Sequence, residues 1–521
     1  MTTELRETDQ LRLVQALREP SAWPHSCRKI RVIETHISWV FLTGEFAYKL
    51  KKNVDLGFVD FTTLERRRHF CHEELRLNRR LAPDLYVNVV PVNESNDGIR
   101  VNGPGEIRDF LVCMNQFDPD RMLCDCSDVL YDGECLHDLA DRLGAFHRSA
   151  TVAPVESPFG SPEEILRDVR DNFSVLEQAD VSIGSCVRLL AEDAETEFER
   201  LLPVFRRRRT QGMIRECHGD LHLGNMFVQN DRIHVFDGIE FREEFRWIDI
   251  ISDLAFVIMD LQDRGIDRPA RLLLNWWLEV TGDYGGLAVL PFYCAYRAAV
   301  RAKVDVLRMR QPGLTFSDQR NLCKDCSTYL SLAGRYACPH RPTLVITTGP
   351  SGSGKTWATE QLIAATDMIR IRSDVERKRM HHLEPLQVST DEQKQKLYSA
   401  SATEATYDRL AELAEEIINA GFPVVVDATF LRFDERSRFL HLADRLKVPF
   451  LILECVAPVD ILRQRIADRQ SGRRDASEAD ESVLEAQLEH TDLLTPSELE
   501  VTIQANDANF VDVLLARAGI A

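Results

Sequence analysis

Apolar and polar residues alternate through residues 37–51 on either side of Thr43-Gly44-Glu45, which predicts a β-hairpin. The next stretch opens with Thr62-Thr63-Leu64-Glu65, a capping-box pattern. It closes at Ala82-Pro83 and so predicts a helix over about 63–81. From about residue 136 onward the pattern is largely helical, with a β-type interruption at 233–236. A last helical run, about 317–335, stops at Cys338-Pro339-His340-Arg341-Pro342, whose two prolines read as a short stiff linker. Beyond it the pattern changes. The apolar runs Leu344-Val-Ile-Thr-Thr348 and Val424-Val-Val-Asp427 read as buried parallel strands, and 357–365 reads as a helix. No internal repeat is present. The expected domains are 1–337, with a small β-rich lobe before a helical lobe, a linker at 338–342, and an α/β domain at 343–521.

The first strand of that α/β domain runs into Gly349-Pro350-Ser351-Gly352-Ser353-Gly354-Lys355-Thr356, which is G-x-x-x-x-G-K-[ST] between a strand and a helix. Glycines let backbone N–H groups wrap phosphate oxygens, Lys355 reaches the β- and γ-phosphates, and the Thr356 hydroxyl is a Mg²⁺ ligand. Ligands of open α/β sheets bind at the carboxyl ends of the strands, where Asp374 ends a second short strand-like stretch, 369–374, and Asp427 ends its apolar run. Asp374 suits the base that takes the acceptor's hydroxyl proton, and Asp427 a ligand of Mg²⁺ or its waters; a helix N-cap is the alternative for each. Arg463, Arg469, Arg473 and Arg474 gather in a polar run that suits a lid closing on phosphates, against ordinary surface arginines. With GPSGSGKT, RSDVERKR, VVVDATF and RQSGRRDASEA, residues 342–521 resemble P-loop kinases of small metabolites and polynucleotide ends, the gluconate-kinase, zeta-toxin and polynucleotide-kinase relatives. That resemblance implies Asp374 as catalytic base, with Lys355 and the lid arginines on the phosphates.

A second cluster precedes the linker. In His218-Gly219-Asp220-Leu221-His222-Leu223-Gly224-Asn225, followed by Asp237-Gly238-Ile239-Glu240, a carboxylate, an amide five residues later and a further carboxylate recur at the spacing of a protein-kinase-like site. Asp220 would face the acceptor, and Asn225 and Asp237 would hold Mg²⁺. The expected strand lysine is Lys49, with Lys51 on the same face as the alternative. Its expected carboxylate partner is Glu74, with Glu73 as the alternative. Residues 111–117, including Met114 and Gln116, read as the connector whose backbone would hold adenine. HGDLHLGN, VFDGIEF and the later Asp249 and Asp253 make residues 30–310 resemble the aminoglycoside phosphotransferase and choline-kinase-like family, although the loop before Lys49 has Gly44 alone and no G-x-G-x-x-G. Together the halves resemble bacterial two-domain aminoglycoside-phosphotransferase-like/P-loop ATP-binding proteins. The implied fold is a protein-kinase-like α+β bilobal domain followed by an α/β P-loop domain with a parallel sheet; the implied cofactors are ATP and Mg²⁺.

Composition narrows the partners. With 64 basic against 83 acidic side chains, a net charge of −19, broad nucleic-acid binding is disfavoured and a small-molecule acceptor is expected. No apolar run reaches a membrane span, and the first twenty residues lack an apolar signal core, so the expected location is the cytoplasm. The thirteen cysteines are then expected as thiols. Neither Cys124-Asp125-Cys126 with Cys135, nor Cys323-Lys324-Asp325-Cys326 with Cys338, has the second close pair of a zinc site. The same signals leave room for one working P-loop kinase regulated by a kinase-like domain, for a nucleic-acid 5′-end kinase, or for a toxin-like sugar-nucleotide kinase.

Overall fold

The computed structural model describes residues 7–57, 59–178, 181–311, 313–337, 341–472 and 476–519; the side chains of 7–8, 181–186, 391 and 469–472 fall outside that description. Sheets and groupings below are those among the described residues. Packing divides the chain into two compact units, Met1–Val169 with Phe205–Asp260, and Arg170–Val204 with Leu261–Ala521. The proline-rich linker lies within the sequence of the second unit, and its Cys338, Pro339 and His340 are outside the described residues.

The chain begins with α1 (Glu7–Ala16), β1 (Arg31–Glu34), β2 (Ser38–Leu42), β3 (Phe46–Lys51), α2 (Leu64–Asn78), β4 (Tyr86–Ser95), β5 (Gly98–Val101) and β6 (Glu106–Asn115). The strands form one antiparallel sheet in the order β1-β2-β3-β6-β4-β5. The hairpin turns where expected, at residues 43–45 between β2 and β3. Alternation along β3 then sorts its side chains: Tyr48 and Leu50 enter a core with Trp39, Phe41 and Leu111, whereas Ala47 joins Cys71 of α2, Val112 and Met114 on the other face. Lys49 and Lys51 share the parity of Ala47 and so face α2. The α2 cap is Thr63, which accepts from the Arg66 N–H; with an arginine at that third position the capping box expected from Thr62 and Glu65 does not form.

Next come α3 (Gly133–Ser149), α4 (Pro162–Glu177), α5 (Val181–Thr210), β7 (Ile214–Glu216), β8 (Met226–Gln229), β9 (Arg232–Val235), β10 (Trp247–Asp249) and α6 (Ile250–Asp263). β7 pairs with β10 and β8 with β9, both antiparallel. The β8–β9 hairpin spans the interval between Asn225 and Asp237, and the Phe236 N–H donates to the Asn225 carbonyl.

The second unit continues with α7 (Asp267–Thr281), α8 (Leu290–Met309), α9 (Phe316–Arg335), β11 (Leu344–Thr348), α10 (Lys355–Ala365), β12 (Ile369–Arg372) and α11 (Ser373–Met380). There follow α12 (Asp391–Leu397), α13 (Ala400–Asn419), β13 (Val424–Asp427), α14 (Phe433–Leu446), β14 (Phe450–Glu454), α15 (Val459–Gly472), α16 (Glu481–Glu489), α17 (Pro496–Glu500), β15 (Thr502–Gln504) and α18 (Phe510–Ala518). Its sheet is parallel throughout, in the order β12-β13-β11-β14-β15. Strands buried on both faces read as continuous apolar runs, as β11, β13 and β14 do. β12 departs from that rule with Ile-Arg-Ile-Arg, and its Arg370 is nevertheless buried.

No helix among the described residues is long and apolar enough to cross a membrane. The described cysteines are free; Cys124, Cys126 and Cys135 do not gather as three metal-ligand atoms, and Cys338 of the other grouping lies outside the described residues.

Candidate functional site

In the first unit, β3, α2 and the segment after β9 bring five ionic side chains together. Lys49 Nζ lies 3.0 Å from Glu74 and 2.5 Å from Asp237, so Lys49 and Glu74 form the expected pair. Glu73 points elsewhere, to Arg76. Burial works against the Lys49 charge, but Asp237 and then Glu74 hold the ammonium well above the ordinary lysine value. Lys51 is placed differently. It is fully buried, 2.6 Å from Glu74 and paired with Glu240. Glu74 therefore bridges both lysines. Although its burial favours the neutral acid, Lys49 and Lys51 pull its carboxyl below the usual range. The Lys51–Glu240 pair was not foreseen. The period-two spacing to Lys49 and the Glu three residues after Asp237 were its visible signals.

The loop carrying Asp220 is fixed from beneath. Asp253 of α6 accepts the backbone N–H groups of His218 and Gly219 at 3.0 and 2.9 Å, and lies 3.1 Å from His147 of α3. Burial opposes the Asp253 charge, but the His147 contact holds its carboxyl at about 2. Gly219 is required here: its φ is +87°, and a Cβ would lie 2.6 Å from the Phe245 carbonyl. His218 accepts the Asp220 N–H at Nδ1, so its neutral ring carries the proton on Nε2 and donates to the Phe236 carbonyl at 3.0 Å. Burial lowers the His218 pKa, in keeping with that neutral tautomer. Asn225 Nδ2 donates to the Asp220 carboxylate at 2.8 Å and to its carbonyl at 2.9 Å, so the amide oxygen is the atom Asn225 could offer to a metal ion. Asp237 sits at φ +62°, held by its N–H to the Tyr86 hydroxyl and by the following Gly238 N–H to Asn78. The connector expected at 111–117 lies largely within β6: residues 111–115 are strand, Met114 sits in the core, and Gln116 uses its side chain to accept the Gly44 N–H, which ties the β2–β3 turn to the segment after β6.

In the second unit the loop after β11 is shaped by glycines. Gly349 has φ +143°, and a Cβ there would lie 2.3 Å from the Cys455 carbonyl at the end of β14. Gly352 and Gly354 also have positive φ, and Gly354 caps α10. Lys355 Nζ donates to the carbonyls of Gly349 and Pro350, both at 2.9 Å, so it arches over the loop. The Thr356 hydroxyl donates to Asp427 at 2.9 Å. These two groups and the buried Ser353 hydroxyl, which has no protein partner, suit a phosphate with its cation. Burial raises the Asp427 pKa, with Arg372 and then Lys355 opposing. Asp374 lies in the first turn of α11, 3.0 Å from Arg377 and one residue past the first helical position, so it is not the N-cap. The Arg377 guanidinium lies over the Tyr398 ring at 4.9 Å.

The arginine run divides. Arg463 pairs with Glu481 and Glu485 of α16 at 3.1 and 3.7 Å. The Arg469 side chain and all of Arg473 and Arg474 lie outside the described residues. Arg465, which sequence reasoning gave no role, donates to the Gly352 carbonyl at 3.0 Å, and Gln487 accepts the Ser351 N–H at 2.8 Å. Thus α15 and α16 both grip the loop's tip around a small apolar cluster of Leu462, Ile466 and Leu484.

Residues 344–494 match the family AAA_33, described as an AAA domain. Over 450 residues the chain is 27% identical to uncharacterized proteins of Mycobacterium tuberculosis (Rv2004c) and Mycobacterium bovis (Mb2027c), covering 86% of this chain and 88% of each relative. Among solved structures, a choline/ethanolamine kinase family protein from Mesorhizobium loti is similar with a TM-score of 0.37 and 13% identity, covering 63% of this chain and 99% of that one. Amicoumacin kinase hAmiN, in complex with AMP-PNP, gives 0.39 and 14%, covering 62% and 93%. Kti12 of Chaetomium thermophilum, in complex with ADP-AlF3, gives 0.27 and 17%, covering 34% and 98%.

Proposed function

We propose that this chain is an ATP-dependent phosphotransferase with two nucleotide-binding modules, each moving the γ-phosphoryl group of ATP to a hydroxyl of a small molecule in the cytoplasm. The observation that carries the reading is that each unit holds a complete set: a cation for phosphate, a carboxylate for the acceptor proton and oxygen ligands for a hard metal ion. In the first unit these are Lys49, Asp220, and Asn225 with Asp237; in the second, Lys355, Asp374, and Thr356 with Asp427. Bound there, Mg²⁺ would neutralise phosphate oxygens. Asp220 or Asp374 takes the acceptor proton as the new O–P bond forms; the bond between the γ-phosphorus and its bridging oxygen breaks, and ADP leaves. Lys49, oriented by Glu74, and Lys355 supply positive charge to phosphates that the protein has removed from water. Among the described residues the cations at both sites are interleaved with carboxylates, and with the net charge of −19 this supports a small acceptor over a nucleic-acid strand.

The experiment is transfer from labelled ATP into a metabolite pool by the full chain, compared with Asp220→Asn and Lys355→Ala variants. Each variant is expected to lose its own set of labelled products, by about 10²–10⁴-fold for the loss of a proton acceptor at Asp220. If Asp220→Asn leaves every labelled product intact, the first module transfers nothing and one working P-loop kinase remains. If Lys355→Ala also leaves them intact, the reading fails.

A further inference from the structure

Helix α2 is fastened along its length to parts of the first unit that lie far apart in sequence. Glu74 takes Lys49 and Lys51 of β3. Arg76 and Arg80, four residues apart, both reach Glu216 of β7, at 2.7 and 3.5 Å. Arg80 also donates to the Glu216 and Cys217 carbonyls just before the Asp220 loop. Asn78 stands one turn beyond Glu74, on the same helix face. It is 3% exposed, and a buried amide persists where both its groups are paired. Its Nδ2 donates to the Glu74 carbonyl at 2.9 Å, which fixes the amide so that its oxygen accepts the Gly238 N–H at 2.7 Å.

Gly238 follows Asp237, and the turn they make is under load. Asp237 has φ +62°, a region that favours glycine, so its backbone needs holding. Lys49 pulls on it as well, with its ammonium 2.5 Å from an Asp237 carboxylate oxygen. Two buried groups hold the turn. One is the Asn78 oxygen on the Gly238 N–H; the other is the Tyr86 hydroxyl, which accepts the Asp237 N–H at 3.2 Å. The turn is also pressed onto the Asp220 loop. A Cβ on Gly238 would lie 3.1 Å from the His218 ring, and the Ile239 N–H donates to the His218 carbonyl at 3.0 Å.

We propose that Asn78 is a positioning residue for the metal ion of the first site: by holding the Gly238 N–H it keeps the Asp237 carboxylate open to a divalent cation instead of closing on the Lys49 ammonium. The proposal rests on the reading of Asp237 as a ligand of that cation. Without the Asn78 oxygen a buried N–H loses its partner, the turn leaves its left-handed conformation, and Asp237 follows the attraction of Lys49. A cation must then displace an ammonium to bind. Helix α2 thus sets both charges of the site, the phosphate cation through Glu74 and the metal ligand through Asn78.

The test uses the full chain carrying Lys355→Ala, so that nucleotide binding in the first unit is read alone. On that background Asn78→Leu keeps much of the side chain's shape and removes the acceptor. Asn78→Asp keeps an accepting oxygen and loses the donation to Glu74. Tyr86→Phe removes the other hold by a single hydroxyl, and Val92→Ala weakens the core on the sheet face away from α2. Two quantities are measured: the Mg²⁺ concentration that half-saturates ADP binding, and amide hydrogen exchange over residues 236–240 without metal. Asn78→Leu is expected to raise the Mg²⁺ midpoint about tenfold and to speed exchange about tenfold, the scale of one lost hydrogen bond. Tyr86→Phe should raise the midpoint about threefold, and Asn78→Asp and Val92→Ala should leave it within about twofold of the parent. A midpoint in Asn78→Leu equal to the parent overturns the proposal. So does an equal rise in Asn78→Asp, because the accepting oxygen would then not be what matters. A rise in Val92→Ala as large as that in Asn78→Leu assigns the effect to lost stability and also overturns it. Should Asn78→Leu not fold, Tyr86→Phe decides, and an unchanged midpoint there shows that the turn does not set the metal ligand. If adding Lys49→Ala to the background leaves ADP binding unchanged, the reading of the first site has failed and the proposed role falls with it. Exchange over 236–240 still reports whether Asn78 holds the turn.

Discussion

The two candidate sites are assembled by opposite means. In the first unit the chemistry comes from side chains on separate elements: Lys49 and Lys51 on β3, Glu74 on α2, and Asp237 and Glu240 after β9. In the second, one loop of eight residues folds its backbone around the place where a phosphate would sit, and glycines make that path possible. A site built from buried side-chain charges is also part of the core, so damage to it is damage to the fold. A site built from backbone is sensitive to conformation and steric room, and tolerates the loss of most charges around it.

The largest expected effect separates the two lysines of β3. Lys51→Ala leaves Glu74 and Glu240 buried with half their compensation and should destabilise the first unit by about 3–5 kcal/mol. Lys49→Ala should cost clearly less, because its partner Asp237 has a side chain 39% exposed and can take up water. Denaturant unfolding of the full chain, with hydrogen exchange in β3 and α2 to locate the loss, checks the order. Equal losses would mean that the ion-pair network is one cooperative unit in which position does not matter.

The next effect belongs to the loop. Gly349→Ala places a methyl 2.3 Å from the Cys455 carbonyl at φ +143°, a region an alanine seldom adopts. The loop must shift, at about 2 kcal/mol in stability. ADP binding that depends on Lys355 should be lost, with Lys49-dependent binding unchanged. Isothermal titration on the Lys49→Ala background reads the P-loop component alone. Retained affinity there would show that the loop accommodates the methyl and that backbone path is not what the site depends on.

The same contrast explains what could be read from the residues alone. The phosphate loop was legible because one contiguous stretch does the work, with β11 before it and α10 after it where expected. The Asp220, Asn225 and Asp237 set was legible by spacing, and the β8–β9 hairpin that closes it was visible as a β-type break in a helical region. Lys49 and Lys51 could not be separated, because strand parity gives both the same face; only the partners on α2 and after Asp237 distinguish them. The role of Asn78 was hidden for another reason. An asparagine in the last turn of a helix reads as an ordinary C-terminal residue, and nothing nearby in sequence announces Gly238 as its partner 160 residues on.

The smallest expected effect compares a buried carboxylate from each unit and turns on the sign of its pH dependence. Asp253 in the first unit is held at about 2, against its burial, by His147. Its folded form binds a proton less readily than the unfolded chain, so its contribution to stability is complete above about pH 4 and is lost as pH falls toward 2. Asp305 of α8 in the second unit has the opposite setting. Burial pushes its carboxyl up to about 6, with Arg301 pulling down and Asp325 pushing up, and one of its oxygens lacks a hydrogen-bond partner. The folded state therefore binds this proton more tightly than the unfolded chain. The associated stability is complete below about pH 4 and is lost as pH rises through 6. Asp305→Asn replaces the carboxyl by a group that never ionises. It should stabilise the second unit at pH 7.5 by roughly 1 kcal/mol, once the lost attraction to Arg301 is set against the removed desolvation, and should leave stability at pH 4 nearly unchanged. Denaturant unfolding of wild type and variant at the two pH values reads the difference directly. An equal gain at both would assign it to packing of the amide and remove Asp305 as the source of the second unit's pH sensitivity. A gain confined to pH 7.5 would show that this unit keeps a carboxyl whose charge opposes its fold, whereas Asp253 of the first unit is held charged by His147.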